Sequence, residues 1–190
     1  MSAARLRLFA ALVEKWSPKI NLVSKSDIAH IWERHVEDSL RLLPFIPAST
    51  NRAIDLGSGA GFPGLVLCIA TGIPFDLVES DNRKSVFLME AARQTGAPAK
   101  IHNTRIEAAK LQPAPLITAR ALAPLDKLLG LAAPHLAPGG FCLFPKGRAA
   151  GDELTLAAPL WHMKAERITD PAWGELCILK VSQIRHAGTD

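Results

Sequence analysis

Ala53–Leu65 reads AIDLGSGAGFPGL. Apolar residues around Asp55 give way to Gly57, Gly59, Gly61 and Gly64, and the apolar run LVLCIAT follows. The order is strand, glycine loop, helix. Glycine tolerates positive φ and lets a ligand approach the backbone closely. The first turn of the helix presents N–H groups with no partner inside the helix. Four Gly and one Pro between positions 57 and 64 are more than a plain strand-to-helix connection needs. The loop is read as a cradle for a nucleotide-like cofactor.

Strand and helix patterns alternate downstream. After the helix FPGLVLCIAT, PFDLVES predicts a second strand, Arg83–Gln94 a helix, AKIHNTR a third strand and PLITARAL a fourth. Lys127–His135 predicts a helix, and Pro138-Gly139-Gly140 a turn into the strand FCLFPKG. A short helix is expected over Asp152–Leu160, then strands MKAERIT and GELCILKVS joined by a hairpin-like turn at DPAW. Upstream of the loop the pattern is helical only. Leu6, Phe9, Leu12, Val13 and Trp16 repeat at helical spacing, and Pro18 is expected to stop that helix. Asp27 is expected to cap a second helix, IAHIWERHVEDSLRLL, which Pro44 and Pro47 end.

Alternating helices and near-continuous apolar strands specify an α/β fold with a doubly wound, mostly parallel seven-stranded sheet, Rossmann-like and covered on both faces. One of the last two strands should run antiparallel. Residues 1–48 are expected to form an N-terminal helical extension packed on a core of residues 49–190, the two making one structural unit. Such sheets bind ligands at the carboxyl ends of their strands. That rule puts Gly57–Gly64, Glu79, Arg105, Arg120 and Lys146 on one rim.

Two cofactor classes share this layout. The dinucleotide fingerprint wants Gly or Ala at the sixth position of its glycine motif, and here that position holds Phe62. Glu79 ends the second strand, where a carboxylate can accept both hydrogen bonds of a ribose diol. Asp55 precedes the loop and can hold the amino-acid part of a cofactor or orient the loop backbone. These features fit adenosylmethionine better than NAD.

Composition narrows the class. The chain has 190 residues, 48% apolar and 21% charged, with a formal net charge of +4. A modest positive charge permits a polyanionic partner without demanding one. Cys68, Cys142 and Cys177 lie far apart in apolar runs, so neither a metal site nor a disulfide framework is expected, and a reducing compartment is. No signal peptide and no membrane span are read, so a cytoplasmic location follows. No unexplained apolar stretch asks for a second copy, and a monomer is expected.

Further segments carry a resemblance. They are Asn21-Leu22, Arg34-His35-x-x-Asp38-Ser39-Leu40, the glycine loop, Glu79-Ser80 with Arg83-Lys84, Arg105-x-Glu107, Arg120-Ala121, and Pro138-Gly139-Gly140 ahead of Lys146-Gly147. In this order the chain resembles the bacterial small-subunit ribosomal RNA guanine-N-7 methyltransferases, the RsmG family, once called glucose-inhibited division protein B. The glycine loop is generic to class I methyltransferases; RHVEDSL combined with GAGFPG is specific. The resemblance implies S-adenosylmethionine as cofactor and a guanine of 16S rRNA as acceptor, in the naked RNA, the small ribosomal subunit or its assembly intermediate. It implies cofactor contacts at Gly57, Phe62, Ile106, Glu107 and Arg120. With the loop reading, the expected cofactor set is Asp55, Gly57, Ser58, Gly59, Phe62, Glu79, Ser80, Ile106, Glu107 and Arg120.

Guanine N-7 carries a lone pair and no proton, so in-line displacement needs no general base. The protein has to position the reactants. Arg120, Arg105, His35 and Lys146 are the positioning candidates, with Arg148 and Arg83-Lys84 as further basic positions. Arg34 and Asp38, four apart, are expected to pair along their helix. Trp16, Trp32, Trp161 and Trp173 are read as packing residues rather than base-stacking platforms. Other readings stand beside this one: a methyltransferase on another substrate, a NAD-dependent oxidoreductase, or a non-catalytic RNA-binding module.

Overall fold

Side chains alternate faces along a strand, and the central strands here divide their apolar residues between two layers. A computed structural model describes residues 2–188. In it Phe75 and Leu77, Leu116, Leu143 and Ile178 join one core layer. Val78, Ile117, Cys142 and Phe144, and Leu179 and Val181 join the other.

The elements are α1 (Ser2–Ile20), α2 (Asp38–Leu40), β1 (Ala53–Leu56), α3 (Gly64–Thr71), β2 (Phe75–Glu79), α4 (Asn82–Thr95), β3 (Ala99–Asn103) and β4 (Ala114–Thr118), followed by α5 (Leu125–Ala132), β5 (Leu136–Lys146), α6 (Ala150–Ala157), β6 (Trp161–Thr169) and β7 (Cys177–His186). The seven strands form one sheet in the order β3-β2-β1-β4-β5-β7-β6. β1 to β5 are parallel, and β7 runs antiparallel to both β5 and β6. Strand order reverses between β1 and β4, which opens a crevice at their carboxyl ends.

α1, α3 and α4 cover one face. Phe9 and Val13 of α1 are fully buried against Leu65 and Phe87. Arg5 donates to the carbonyls of Thr95 and Gly96, tying α1 to the end of α4. α5 and α6 cover the other face through Leu125, Leu128, Leu129, Ala150 and Ala157. Asp81 caps α4, its carboxylate accepting from the Arg83 and Lys84 N–H groups.

The expected strands all form, within a few residues of their predicted bounds. Five local expectations are corrected. α1 continues through Pro18 to Ile20, because a proline so near the end costs only the last turn a bond. The helix stops at Asn21, which adopts left-handed φ of 50° and donates its N–H to the Ser17 carbonyl. Asp27 stands at the N-cap position of the next turn but does not cap it: its N–H is held by Ser24, its backbone is already in the helical region, and its side chain makes no capping bond. The second helix is not continuous α but a 3-10 turn (Ile28–His30), a π-helical segment (Trp32–Glu37) and α2. In the wider π turn, residues five apart align, and Trp32 Nε1 donates to Glu37 Oε1 at 3.0 Å. Arg34 and Asp38, four apart, consequently do not pair; Asp38 is bound by Arg41 at 2.6 Å. Pro138–Gly140 is no turn ahead of β5 but an irregularity inside it, where the register against β4 jumps from Ala114↔Leu136 to Leu116↔Phe141.

α3 starts at Gly64 because nothing larger fits. A Cβ there would lie 2.4 Å from Asp55 Cβ on β1. Gly64→Ala should therefore cost about 3 kcal/mol of stability by overpacking. Gly72→Ala, at a left-handed helix terminus with nothing within 4 Å, should cost about 1 kcal/mol. Urea unfolding of both variants checks the ranking.

Candidate active site

The glycine loop is fixed from below by Asp55. Its side chain is fully buried, and Oδ1 accepts the Thr118 hydroxyl of β4 at 2.6 Å. Oδ2 has no hydrogen-bond partner and lies under the Gly64 backbone. Burial raises the Asp55 pKa to about 7, outweighing the bond from Thr118. Ser58 Oγ donates to the Asp55 carbonyl and the Ser58 N–H to the Val78 carbonyl, so this residue also faces inward.

Above the loop, Glu79 gathers the rim. Its Oε2 accepts the Gly59 N–H at 2.8 Å and its Oε1 the Asp81 N–H at 2.7 Å. Asn103 of β3 donates to the carbonyls of Glu79 and Ser80 and to the Ser85 hydroxyl. The result is a cleft of about 400 Å³. Of the residues expected at the cofactor, Gly57, Gly59, Glu79, Ser80, Ile106, Glu107 and Arg120 line it, and so does Arg105. Asp55, Ser58 and Phe62 do not. Asp55 takes the second of its two suggested roles, organising the loop. Lys84, Thr104 and Leu122 line the cleft without having been singled out for it. Lys84 carried a signal, since Arg83-Lys84 opens α4.

Phe62 instead supports a second layer. His35 stacks on it with ring centroids 4.9 Å apart. Arg120 Nη2 donates to His35 Nδ1 at 2.8 Å and to the Arg34 carbonyl at 3.3 Å. The RHVEDSL segment thus reaches the sheet through Arg120, just past β4. Burial, reinforced by the Arg120 charge, lowers the His35 pKa to about 4. A neutral imidazole is what an arginine N–H needs as acceptor. Asp27 lies 3.7 Å from His35 Nε2, too far for a hydrogen bond. Arg120 Nη1 is buried and has no partner.

After Arg120 the chain turns at Ala121, a non-glycine residue with φ of 52°. Such strain of about 1–2 kcal/mol persists where surroundings impose it. Arg120, Ala121 and Leu122 form a wall shared by the glycine-loop cleft and a second cavity of about 490 Å³. This cavity runs past Asp38, Arg41, Pro145 and Trp173. Lys146 borders it but is not free: its Nζ donates to Glu153 at 2.6 Å and to the Ala123 carbonyl at 3.1 Å. Glu153 also accepts the Leu125 N–H at the start of α5. Arg148 is exposed and paired with Glu175. Asn21 is a helix terminator away from both cavities. Trp16 packs on Phe87, as expected of a core residue. Trp173 lines the second cavity.

The site suits adenosylmethionine. A Cβ at Gly57, where φ is 65°, would come 2.6 Å from Leu122 Cδ1, so the floor of the cleft is open only with glycine. The unpartnered Arg120 N–H offers a donor to a carboxylate, and Glu79 supplies the acidic edge for a ribose. No group of His, Cys, Asp and Glu among the described residues is arranged to hold a metal. Sheet order, reversed β7 and this cleft define a class I adenosylmethionine-dependent methyltransferase.

Solved structures agree on the fold. The match to N-methyltransferase NodS from Bradyrhizobium japonicum WM9 in complex with S-adenosyl-L-homocysteine has a TM-score of 0.61 at 15% identity, covering 92% of this chain and 98% of that one. A ribosomal protein L11 methylase from Lactobacillus delbrueckii subsp. bulgaricus matches with a TM-score of 0.62 at 16% identity, over 78% of each chain. A family model described as rRNA small subunit methyltransferase G matches residues 2–170. The chain belongs to that family. Ribosomal RNA small subunit methyltransferase G of Acidiphilium cryptum (strain JF-5) is 52% identical over 185 residues, 96% of this chain and 85% of that one. The protein of the same name from Rhodospirillum centenum (strain ATCC 51521 / SW) is 52% identical over 188 residues, 97% and 85% of the two chains.

The depressed His35 pKa has a consequence for stability. An unfolded histidine takes up a proton near pH 6.5, whereas the folded one resists until about pH 4. Acid in that window therefore favours the unfolded chain. His35→Gln keeps an acceptor for Arg120 and removes the titration. The stability advantage of the unaltered protein over this variant should shrink between pH 7 and pH 4, measured by urea midpoints at both values.

Proposed function

We propose that this rRNA methyltransferase transfers the methyl group of S-adenosylmethionine to N-7 of a guanine in 16S rRNA. The observation that carries the reading is the wall Arg120–Leu122, with the glycine-loop cleft of about 400 Å³ on one side and a cavity of about 490 Å³ on the other. When bound, the cofactor supplies a sulfonium methyl whose C–S bond breaks as the N-7–C bond forms, the electron pair staying on sulfur. The N-7 lone pair needs no base, so the protein's part is alignment.

Gly57 and Gly59 present backbone to the cofactor, Glu79 takes the ribose hydroxyls, and Ile106 and Glu107 border the adenine side. Arg120, oriented by neutral His35, meets the cofactor's carboxylate. In A-form RNA the N-7 edge lies in a deep, narrow groove, so the guanine has to be splayed out of its loop. Half-buried Lys84 and exposed Arg105 beside the cleft, and exposed Arg34 beyond the wall, are positioned for flanking phosphates. Buried free Cys68, Cys142 and Cys177 support work in a reducing cytoplasm. No described helix is long and apolar enough to cross a membrane. The reading takes the enzyme as a monomer in which residues 1–48 and 49–190 act together.

The test uses tritiated adenosylmethionine and small-subunit RNA that lacks its own methylation, with aniline cleavage to report N-7-methylguanine. Label at one guanine is expected; label on protein alone, or none, rejects the reading. Gly57→Val should lower adenosylhomocysteine affinity more than tenfold in calorimetry while the circular dichroism spectrum is unchanged. Normal affinity in that variant would move the cofactor elsewhere.

A further inference from the structure

Two charged pairs line the second cavity: Lys146–Glu153, bonded into the start of α5, and Asp38–Arg41, whose chemistry suits a base. Asp38 lines this cavity and not the cofactor cleft. Arg41 holds Asp38 Oδ1 at 2.6 Å, leaving Oδ2 without a protein donor. The Arg41 guanidinium lies over one face of the Trp173 ring, 5.7 Å from its centroid, and Trp173 forms part of the cavity wall. An aromatic face, a carboxylate and an adjacent cation therefore meet in one concave space of about 490 Å³, within the range of small-ligand pockets. Burial raises the Asp38 pKa, ahead of the opposing effect of Arg41, which marks a carboxylate drawn away from water rather than a solvated surface charge.

Resting on the methyl-transfer reading above, we propose that Asp38, flanked by Arg41, recognises the Watson–Crick edge of the target guanine while Trp173 stacks on its face. A guanine with N-7 at the Arg120–Leu122 wall turns its six-membered ring into the cavity. That ring offers N-1–H and an N-2 amino group side by side, and a carboxylate accepts from both. O-6, next to them, is an acceptor for Arg41. Adenine, cytosine and uracil each lack the adjacent pair of donors, so the same carboxylate rejects them by leaving polar groups unpaired. Asp38 and Arg41 supply specificity; the reacting atoms stay at the wall.

Inosine separates recognition from chemistry, since it keeps N-7 and N-1–H and lacks only the N-2 amino group. Small-subunit RNA is assembled with guanosine or inosine at the methylated position, and kcat/KM for methyl transfer is measured on each. The unaltered enzyme should prefer guanosine by about tenfold to a hundredfold, the value of one hydrogen bond to a charged acceptor. In Asp38→Asn that ratio should collapse toward one. Trp173→Ala should slow both substrates alike and keep the ratio. Adenosylhomocysteine affinity, read by calorimetry, should be unchanged in both variants. Equal rates on the two RNAs by the unaltered enzyme, or a full preference retained by Asp38→Asn, overturn the proposal, and the first of these needs no variant to fold. If the unaltered enzyme methylates no RNA guanine, the function reading fails and the base pocket falls with it. Methylation at N-7 without discrimination sinks the base pocket alone.

Discussion

The buried carboxyl of Asp55 is the constraint from which the rest of the site follows. It sits at zero exposure between Thr118 on β4 and the Gly64 backbone at the head of α3. A polar group so placed is costly unless bonded, and an ionised one more so. The bond from Thr118 meets part of that cost and links β1 to β4 across the point where strand order reverses. The same residue excludes any side chain at position 64 and pulls α3 onto the sheet. With α3 fixed, Gly57 and Gly59 have one path left, and that path ends under Glu79.

A second contact brings the N-terminal helices into the same machinery. His35 lies flat on Phe62 of the glycine loop and accepts a hydrogen bond from Arg120 past β4. Phe62 also packs against Phe9 of α1 at 5.3 Å between centroids. One aromatic ring thus touches the extension, the loop and the orienting histidine. The helices before the sheet are part of the site's wall, and their apolar faces share a core layer with α3 and α4.

The division between what was legible and what was not follows the range of the interactions. Strands, helices and the glycine loop depend on neighbours within a few residues, and their periodicity shows in the chain. Glu79 and Arg120 were legible because the ends of parallel strands share one rim. The inward direction of Asp55, Ser58 and Phe62 was not, since it depends on backbone angles such as the φ of 92° at Gly61. Lys146 looked available because its partner Glu153 lies on another element. Trp173 looked like packing because its cavity is closed by residues more than a hundred positions away, Asp38 and Arg41.

The π-helical segment Trp32–Glu37 lets His35 meet Arg120 of the shared wall while Asp38, just beyond it, lines the second cavity. Such a segment is in effect an α-helix carrying extra chain in its turn. Each α-helical residue rotates the chain by about 100°. Shortening the segment by one residue would restore ordinary winding and swing Asp38, Ser39 and Arg41 around the helix relative to His35. Length in this stretch is consequently less negotiable than composition. Substitutions on its outer face leave the geometry intact, whereas a single-codon deletion would uncouple the two halves of the site while sparing every residue that builds them.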